Sequence, residues 1–245
     1  SGKERGLKMF REEMKRVAEA YGLSLTEEQL EQFNRYYELL VEWNKVMNLT
    51  AITEPHEVAA KHMIDSLTAY DKEYFAEGVS VIDVGTGAGF PGLPLKIFDP
   101  TIKLTLMDSL NKRVKFLQTV VDELGLQDVE CVHARAEEGA RNKKYREQFD
   151  IAVSRAVARL PVLCEYCMPF VKRGGKFLAL KGMQYQEEEN EAEKAIKVMG
   201  GSKVSTRPVK LPGLDDVRAV VEITKGMPTP KAYPRKAGTP VKNPL

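Results

Sequence analysis

Four glycines within eight residues, Gly85, Gly87, Gly89 and Gly92, interrupt the apolar run "VIDVGTGAGFPGLPLKI", with Asp83 ahead of them and Pro91 among them. Bare backbone of this kind can approach a ligand closely, and a helix opening there favours negative charge on it. Read from Gly85, the string fails the dinucleotide fingerprint because Phe90 stands at the third glycine position. Read from Gly87, G-A-G-F-P-G fits, but two residues late, and Pro91 removes an N–H that a pyrophosphate wants. Asp83 tips the balance. A carboxylate pointing into the crevice repels a pyrophosphate and suits a cationic ammonium. S-adenosylmethionine has that cation, a carboxylate for backbone N–H groups, and an adenosine. Asp108, 21 residues past Gly87, is placed to accept ribose hydroxyls of either cofactor, and Ala136-Glu137 to border the adenine. Each acid alone is equally well a solvated loop carboxylate. As an ordered series after successive strands they favour a cofactor site.

Other reactive side chains weigh less. Cys164 and Cys167 form a C-x-x-C without a second pair or histidine cluster, inside the helically spaced "RLPVLCEYCMPF", and read as core. His62 precedes Asp65 by nearly a turn, but a lone helical histidine is more often satisfied structure, so it stays outside the site. No metal site is visible.

The elements that must position these residues follow from periodicity. Leu7, Phe10, Met14, Val17 and Tyr21 mark one helix face, and Gly22 ends it. Thr26 with Gln29 forms a capping box ahead of a second helix, and Pro55 opens a third carrying Val58, Ala59, His62, Met63, Ser66, Leu67 and Tyr70 on one face. From residue 79 strands alternate with helices: "SVIDV", "KLTLMD", "VECVHA", "DIAVSRA" and "GKFLALKG" are strands. A long charged helix covers 184–199, and "KVSTRPVKL" and "RAVVEITK" close as a hairpin. This predicts an α/β fold: a Rossmann-like, mostly parallel seven-stranded sheet covered on both faces, with one antiparallel hairpin strand and helices in front. The expected division is a helical segment over 1–77, a cofactor domain over 78–225 and a proline-rich basic tail over 226–245. The balance of 37 basic and 35 acidic residues does not advertise a nucleic-acid binder, although a local patch could. No apolar run suits a membrane helix, a signal-peptide core is lacking, and Ser1-Gly2 reads as an expression scar. Three cysteines without a framework fit the cytoplasm.

Taken together, "LVEWNKVMNLTAIT", "KHMIDSL", "DVGTGAGFPGLPLKI", "MDSLNKR", "RAE", "SRAVARL", "LALKG" and "YPRKAGTP" span nearly the whole chain. They resemble the bacterial small-subunit (16S) ribosomal RNA methyltransferases that make 7-methylguanosine, the glucose-inhibited division protein B family. The resemblance implies a class I methyltransferase fold behind N-terminal helices, S-adenosylmethionine as cofactor, and cofactor contacts at Gly85, Phe90, Ala136, Glu137 and Arg155. Thr86 replaces a residue often alanine there.

The absences agree with guanine N7 as acceptor. Where exocyclic-amine methyltransferases carry an Asn/Asp-Pro-Pro-aromatic string, this chain reads Ser154-Arg155-Ala156-Val157, and it contains no Pro-Cys for carbon methylation. N7 has a free in-plane lone pair, so alignment of N7, methyl carbon and sulfur suffices and no catalytic acid or base is nominated. Arg155 is the orienting candidate, able to read guanine O6 or a phosphate; its plain alternative is an ion pair with a carboxylate such as Glu137. Arg159 and Lys181, near strand ends on the same side, could meet RNA phosphates. The tail holds Lys231, Arg235, Lys236 and Lys242 among five prolines, with Tyr233 available to stack on a base, and is expected to be an extended RNA-binding arm. Such composition otherwise gives a disordered terminus. The expected partner is small-subunit ribosomal RNA, a 30S subunit or an assembly intermediate, bound by a monomer. The alternatives are a non-catalytic RNA- or ribosome-binding module and an NAD-dependent oxidoreductase.

Overall fold

The computed structural model describes residues 2–245; the side chains of Lys3, Leu7 and Lys8 are outside that description, and with them the expected facing of Leu7. Helices α1 (Gly2–Tyr21) and α2 (Glu27–Asn44) come first, and the Thr26–Gln29 capping box starts α2 as expected. Helix α3 runs unbroken through Pro55–Glu57, a π-helical stretch Val58–Ile64, and Asp65–Leu67. Its wider central turns differ from the plain α-helix that the spacing predicts.

The strands are β1 (Ser80–Val84), β2 (Lys103–Asp108), β3 (Val129–His133), β4 (Phe149–Ser154), β5 (Val171–Lys181), β6 (Gly201–Val209) and β7 (Arg218–Lys225). They form one sheet in the order β3-β2-β1-β4-β5-β7-β6. Neighbours from β3 to β5 are parallel, and β7 runs antiparallel to both β5 and β6. Between them lie α4 (Gly92–Phe98), α5 (Asn111–Leu124), α6 (Ala136–Gly139), α7 (Leu160–Cys167), α8 (Tyr185–Glu191) and α9 (Glu193–Val198). The expected single helix over 184–199 thus divides at Ala192, although no glycine or proline marks the break.

Alternation along the central strands sorts the core into two layers. Val81, Ile151, Val153 and Leu178 face Phe10, Phe33, Tyr36 and Phe116, so the N-terminal helices share one continuous core with the sheet. Ile82, Ala152, Phe177 and Ala179 face Leu163, Cys164, Cys167 and Ala195 on the other side. Both cysteines are fully buried, and burial pushes their thiols up, as core residues rather than a reactive pair.

The tail departs from expectation. It is packed on the domain and ends in the short helix α10 (Thr239–Lys242). Arg146 donates to the carbonyls of Thr229, Pro230 and Tyr233, and Arg141 to those of Ala232 and Pro234. Proline lacks an N–H but keeps its carbonyl, so a proline-rich strand offers acceptors that two guanidinium groups can collect. Arg235 forks onto Glu165, which is 1% exposed, with bonds of 2.7–3.2 Å. Tyr233 packs against the second core layer. Both side chains are half-buried on the domain, whereas an extended arm would hold them free. Lys231, Lys236 and Lys242 remain exposed.

Candidate cofactor and acceptor site

Strand order reverses at β1, between β2 and β4, which opens a crevice at the carboxyl ends of the strands. One part of it, about 350 Å³, is walled by Gly85, Gly87, Phe90, Asp108 and Arg155 among others. An adjoining part of about 160 Å³ shares Gly85 and Asp108 and continues to Ala136, Glu137, Leu163 and Tyr166. The structure therefore brings the strand-end series from β1, β2 and β3 into one continuous depression.

The glycines differ in their reasons. Gly87 has φ +61°, and a Cβ built on it meets nothing within 4 Å, so its space belongs to the crevice. Gly92 is glycine because a Cβ would lie 2.9 Å from an oxygen of Asp83. The backbone N–H of Gly87 donates to Asp108 Oδ2 at 2.8 Å, and that of Leu110 to Oδ1 at 3.0 Å. Asp108 thereby fixes the loop and still has acceptor capacity, since an ionised carboxylate offers about four lone-pair sites. Glu137 accepts from the N–H of Gly238 at 2.9 Å, which ties the tail to the crevice wall.

Asp83 is placed otherwise than expected. Alternation in β1 turns it with Val81 toward the face that α4 covers, and it is fully buried. Its Oδ2 accepts from Thr86 Oγ1 at 2.7 Å and from the N–H of Gly92 at 2.8 Å; its Oδ1 has no partner among the described residues. Burial, opposed by those two bonds, pushes its carboxyl up to about 7. It holds the loop from beneath and does not border the crevice.

Arg155 donates to the carbonyl of Lys61 at 2.9 Å, to Asp65 Oδ2 at 3.1 Å and to His62 Nδ1 at 2.9 Å. Its ion-pair partner is Asp65, not Glu137. The guanidinium also lies 5.0 Å from the centre of the Phe90 ring. His62 belongs to this site after all. Its ring stacks on Phe90 at 4.5 Å, and Nε2 meets Thr50 Oγ1 at 2.6 Å. Since Arg155 donates to Nδ1, the proton sits on Nε2. Burial and the Arg155 charge push the ring's pKa down to about 3. A histidine held neutral with its lone pair occupied is a poor proton acceptor. Alpha-helical spacing alone could not reveal it, because its partner is 93 residues away.

Tyr36 on α2 was also missed. Its hydroxyl donates to the carbonyl of Ala88 at 2.5 Å, and its ring stacks on Phe90, so the N-terminal helices support the loop directly. Lys181, expected near RNA phosphates, is instead 6% exposed, 2.8 Å from Glu188, and donates to the carbonyl of Ala158. Arg159 is exposed but forked onto Glu191 at 2.8 Å.

The family described as rRNA small subunit methyltransferase G matches residues 29–214. Among curated relatives, the "Ribosomal RNA small subunit methyltransferase G" of Alkaliphilus metalliredigens is 52% identical over 91% of this chain and 94% of its own. That of Desulforamulus reducens is 51% identical over 95% and 97%. Among solved structures, Aeropyrum pernix fibrillarin with natively bound S-adenosyl-L-methionine is similar in fold, with a TM-score of 0.51 at 13% identity, over 66% of this chain and 73% of that one.

Proposed function

Because this chain belongs to the rRNA small subunit methyltransferase G family, we propose that it methylates N7 of a guanine in small-subunit ribosomal RNA. It is an S-adenosylmethionine-dependent methyltransferase, and the crevice fits that cofactor. The carrying observation is the unfilled space over Gly87, continuous with a slot walled by Asp108, Ala136 and Glu137. Gly85 and Gly87 would admit the methionine end, the free lone pairs of Asp108 the ribose hydroxyls, and Leu163, Tyr166 and Glu137 the adenine. When bound, S-adenosylmethionine supplies a methyl group activated by a sulfonium.

The chain's own part in the reaction is orientation. Phe90, buried against Tyr36 and His62, packs beneath the Arg155 guanidinium, which three acceptors fix in place. A guanidinium so held can direct guanine O6 without searching rotamers. Guanine N7 is unprotonated at neutral pH, so no residue has to remove a proton. The enzyme works as a cytoplasmic monomer on the RNA within a 30S subunit or its assembly intermediate.

The test is transfer of radiolabelled methyl from S-adenosylmethionine to small-subunit RNA taken from a strain lacking the protein. Borohydride–aniline cleavage then locates N7-methylguanosine. One labelled site, cleaved by this chemistry, is the expected result. A label that resists cleavage means a different acceptor atom.

A further inference from the structure

His62 and Arg155 line two cavities at once. One is the crevice over the glycine loop; the other, about 220 Å³, is also bordered by Lys61, Asp65, Asp216 and Arg218. Asp65 is already engaged there by two arginines. It is buried and accepts from Arg155 at 3.1 Å and from Nε and Nη2 of Arg218 at 2.8 Å each. Lys61 is engaged by Glu57 at 3.4 Å. Asp216 is the exception: an exposed carboxylate on this wall with no hydrogen bond or ion pair among the described residues, despite cationic neighbours. Its charge disfavours a phosphate, and its chemistry calls for N–H donors.

We infer that this second cavity receives the Watson–Crick edge of the acceptor guanine and that Asp216 accepts from its N1–H and 2-amino group. The inference rests on methyl transfer to N7. N7 and O6 lie on one edge of guanine, and N1–H and the 2-amino group are turned away from N7. A guanine whose N7 faces the crevice therefore turns those donors toward a neighbouring space. The cavity that shares His62 and Arg155 with the crevice is that space. A carboxylate accepts both donors side by side, whereas adenine presents a bare N1 acceptor and is repelled. RNA recognition ordinarily reads an unstacked base at such edges.

The experiment uses the full chain with S-adenosylmethionine and two small-subunit RNA fragments, carrying guanine or inosine at the mapped acceptor position. Inosine keeps N7, O6 and N1–H and lacks only the 2-amino group. The parent should prefer guanine by about ten- to a hundred-fold in kcat/KM, the range for losing part of a bidentate base contact. In Asp216→Ala that preference should collapse to about threefold or less, with cofactor affinity and Tm unchanged. A parent that does not distinguish the RNAs overturns the inference, as does a preference that Asp216→Ala retains. In either case N7 methylation of the guanine fragment leaves the reaction itself standing. Should the parent methylate neither fragment at N7, the proposed reaction and this inference fall together.

Discussion

Asp83 carries a carboxyl group wholly inside the protein, with one oxygen held by Thr86 and Gly92 and the other without a partner among the described residues. Its folded-state pKa is raised to about 7, mainly by burial, above the ordinary carboxylate value near 4. Between those values the folded state binds more protons than the unfolded one, so this contribution to stability falls as pH rises through the window. Asp83→Asn removes the titration and should show a smaller loss of Tm than the parent between pH 5 and pH 8. Parallel Tm–pH curves would mean that the carboxyl does not titrate there. His62 contributes a slope of opposite sign below about pH 6.5 toward 3, and it cancels in the comparison because both proteins keep it. At Gly87 the expected effect lies in binding. A valine side chain enters space that nothing else occupies, so Gly87→Val should weaken S-adenosylmethionine at least tenfold. Positive φ adds strain of about 1–2 kcal/mol, so Tm should fall by several degrees while the protein stays folded. Isothermal titration beside a melting curve separates the two effects.

The tail is the element whose role changes most between sequence and structure. Cutting the chain after Met227 removes the fork onto Glu165 and the N–H that Glu137 accepts. An uncompensated buried carboxylate left by a lost partner costs about 3–5 kcal/mol; with Arg235 22% exposed, about 2–3 kcal/mol is expected here. The truncated protein should therefore melt lower and bind S-adenosylmethionine more weakly. The salt dependence of RNA binding should change only through Lys231, Lys236 and Lys242. Unchanged Tm and cofactor affinity, with a flatter salt slope, would restore the free arm. Composition misled here because it counts cations and prolines but not their partners, and Glu165, Arg141 and Arg146 lie in segments that read as ordinary core helix and loop. The strand-end series was legible for the opposite reason. Gly85 follows β1, Asp108 ends β2 and Ala136 comes just after β3, and parallel pairing brings successive strand ends to one edge. Arg155 was legible as a position but not as a contact, since the order of residues does not say which carboxylate it meets.

At the scale of the molecule, the N-terminal helices and the sheet are one body. Phe10, Phe33 and Tyr36 lie in the same core layer as Val81 and Val153, and Tyr36 holds the loop that carries Ala88 and Phe90. Residues 55–245 alone would expose that layer, so the fragment should lack a cooperative melting transition and bind S-adenosylmethionine poorly. A fragment that melts sharply with parental affinity would contradict a shared core. Helical periodicity shows that these helices have an apolar face, but not what the face covers, so a boundary near residue 77 describes the change of pattern better than the packing. The bond between Gly238 and Glu137 adds a dimension of time. A ribosome releases Glu137 101 residues before the N–H that steadies it, and Asp65 waits 153 residues for Arg218. A growing chain can pair β1 with β2 and shape the glycine loop early, yet it must wait for its final segment before the crevice wall at Glu137 is fixed. Chains that terminate before Gly238 lack this tie and are expected to compete poorly for cofactor, so that little methyl donor is held by chains unable to use it.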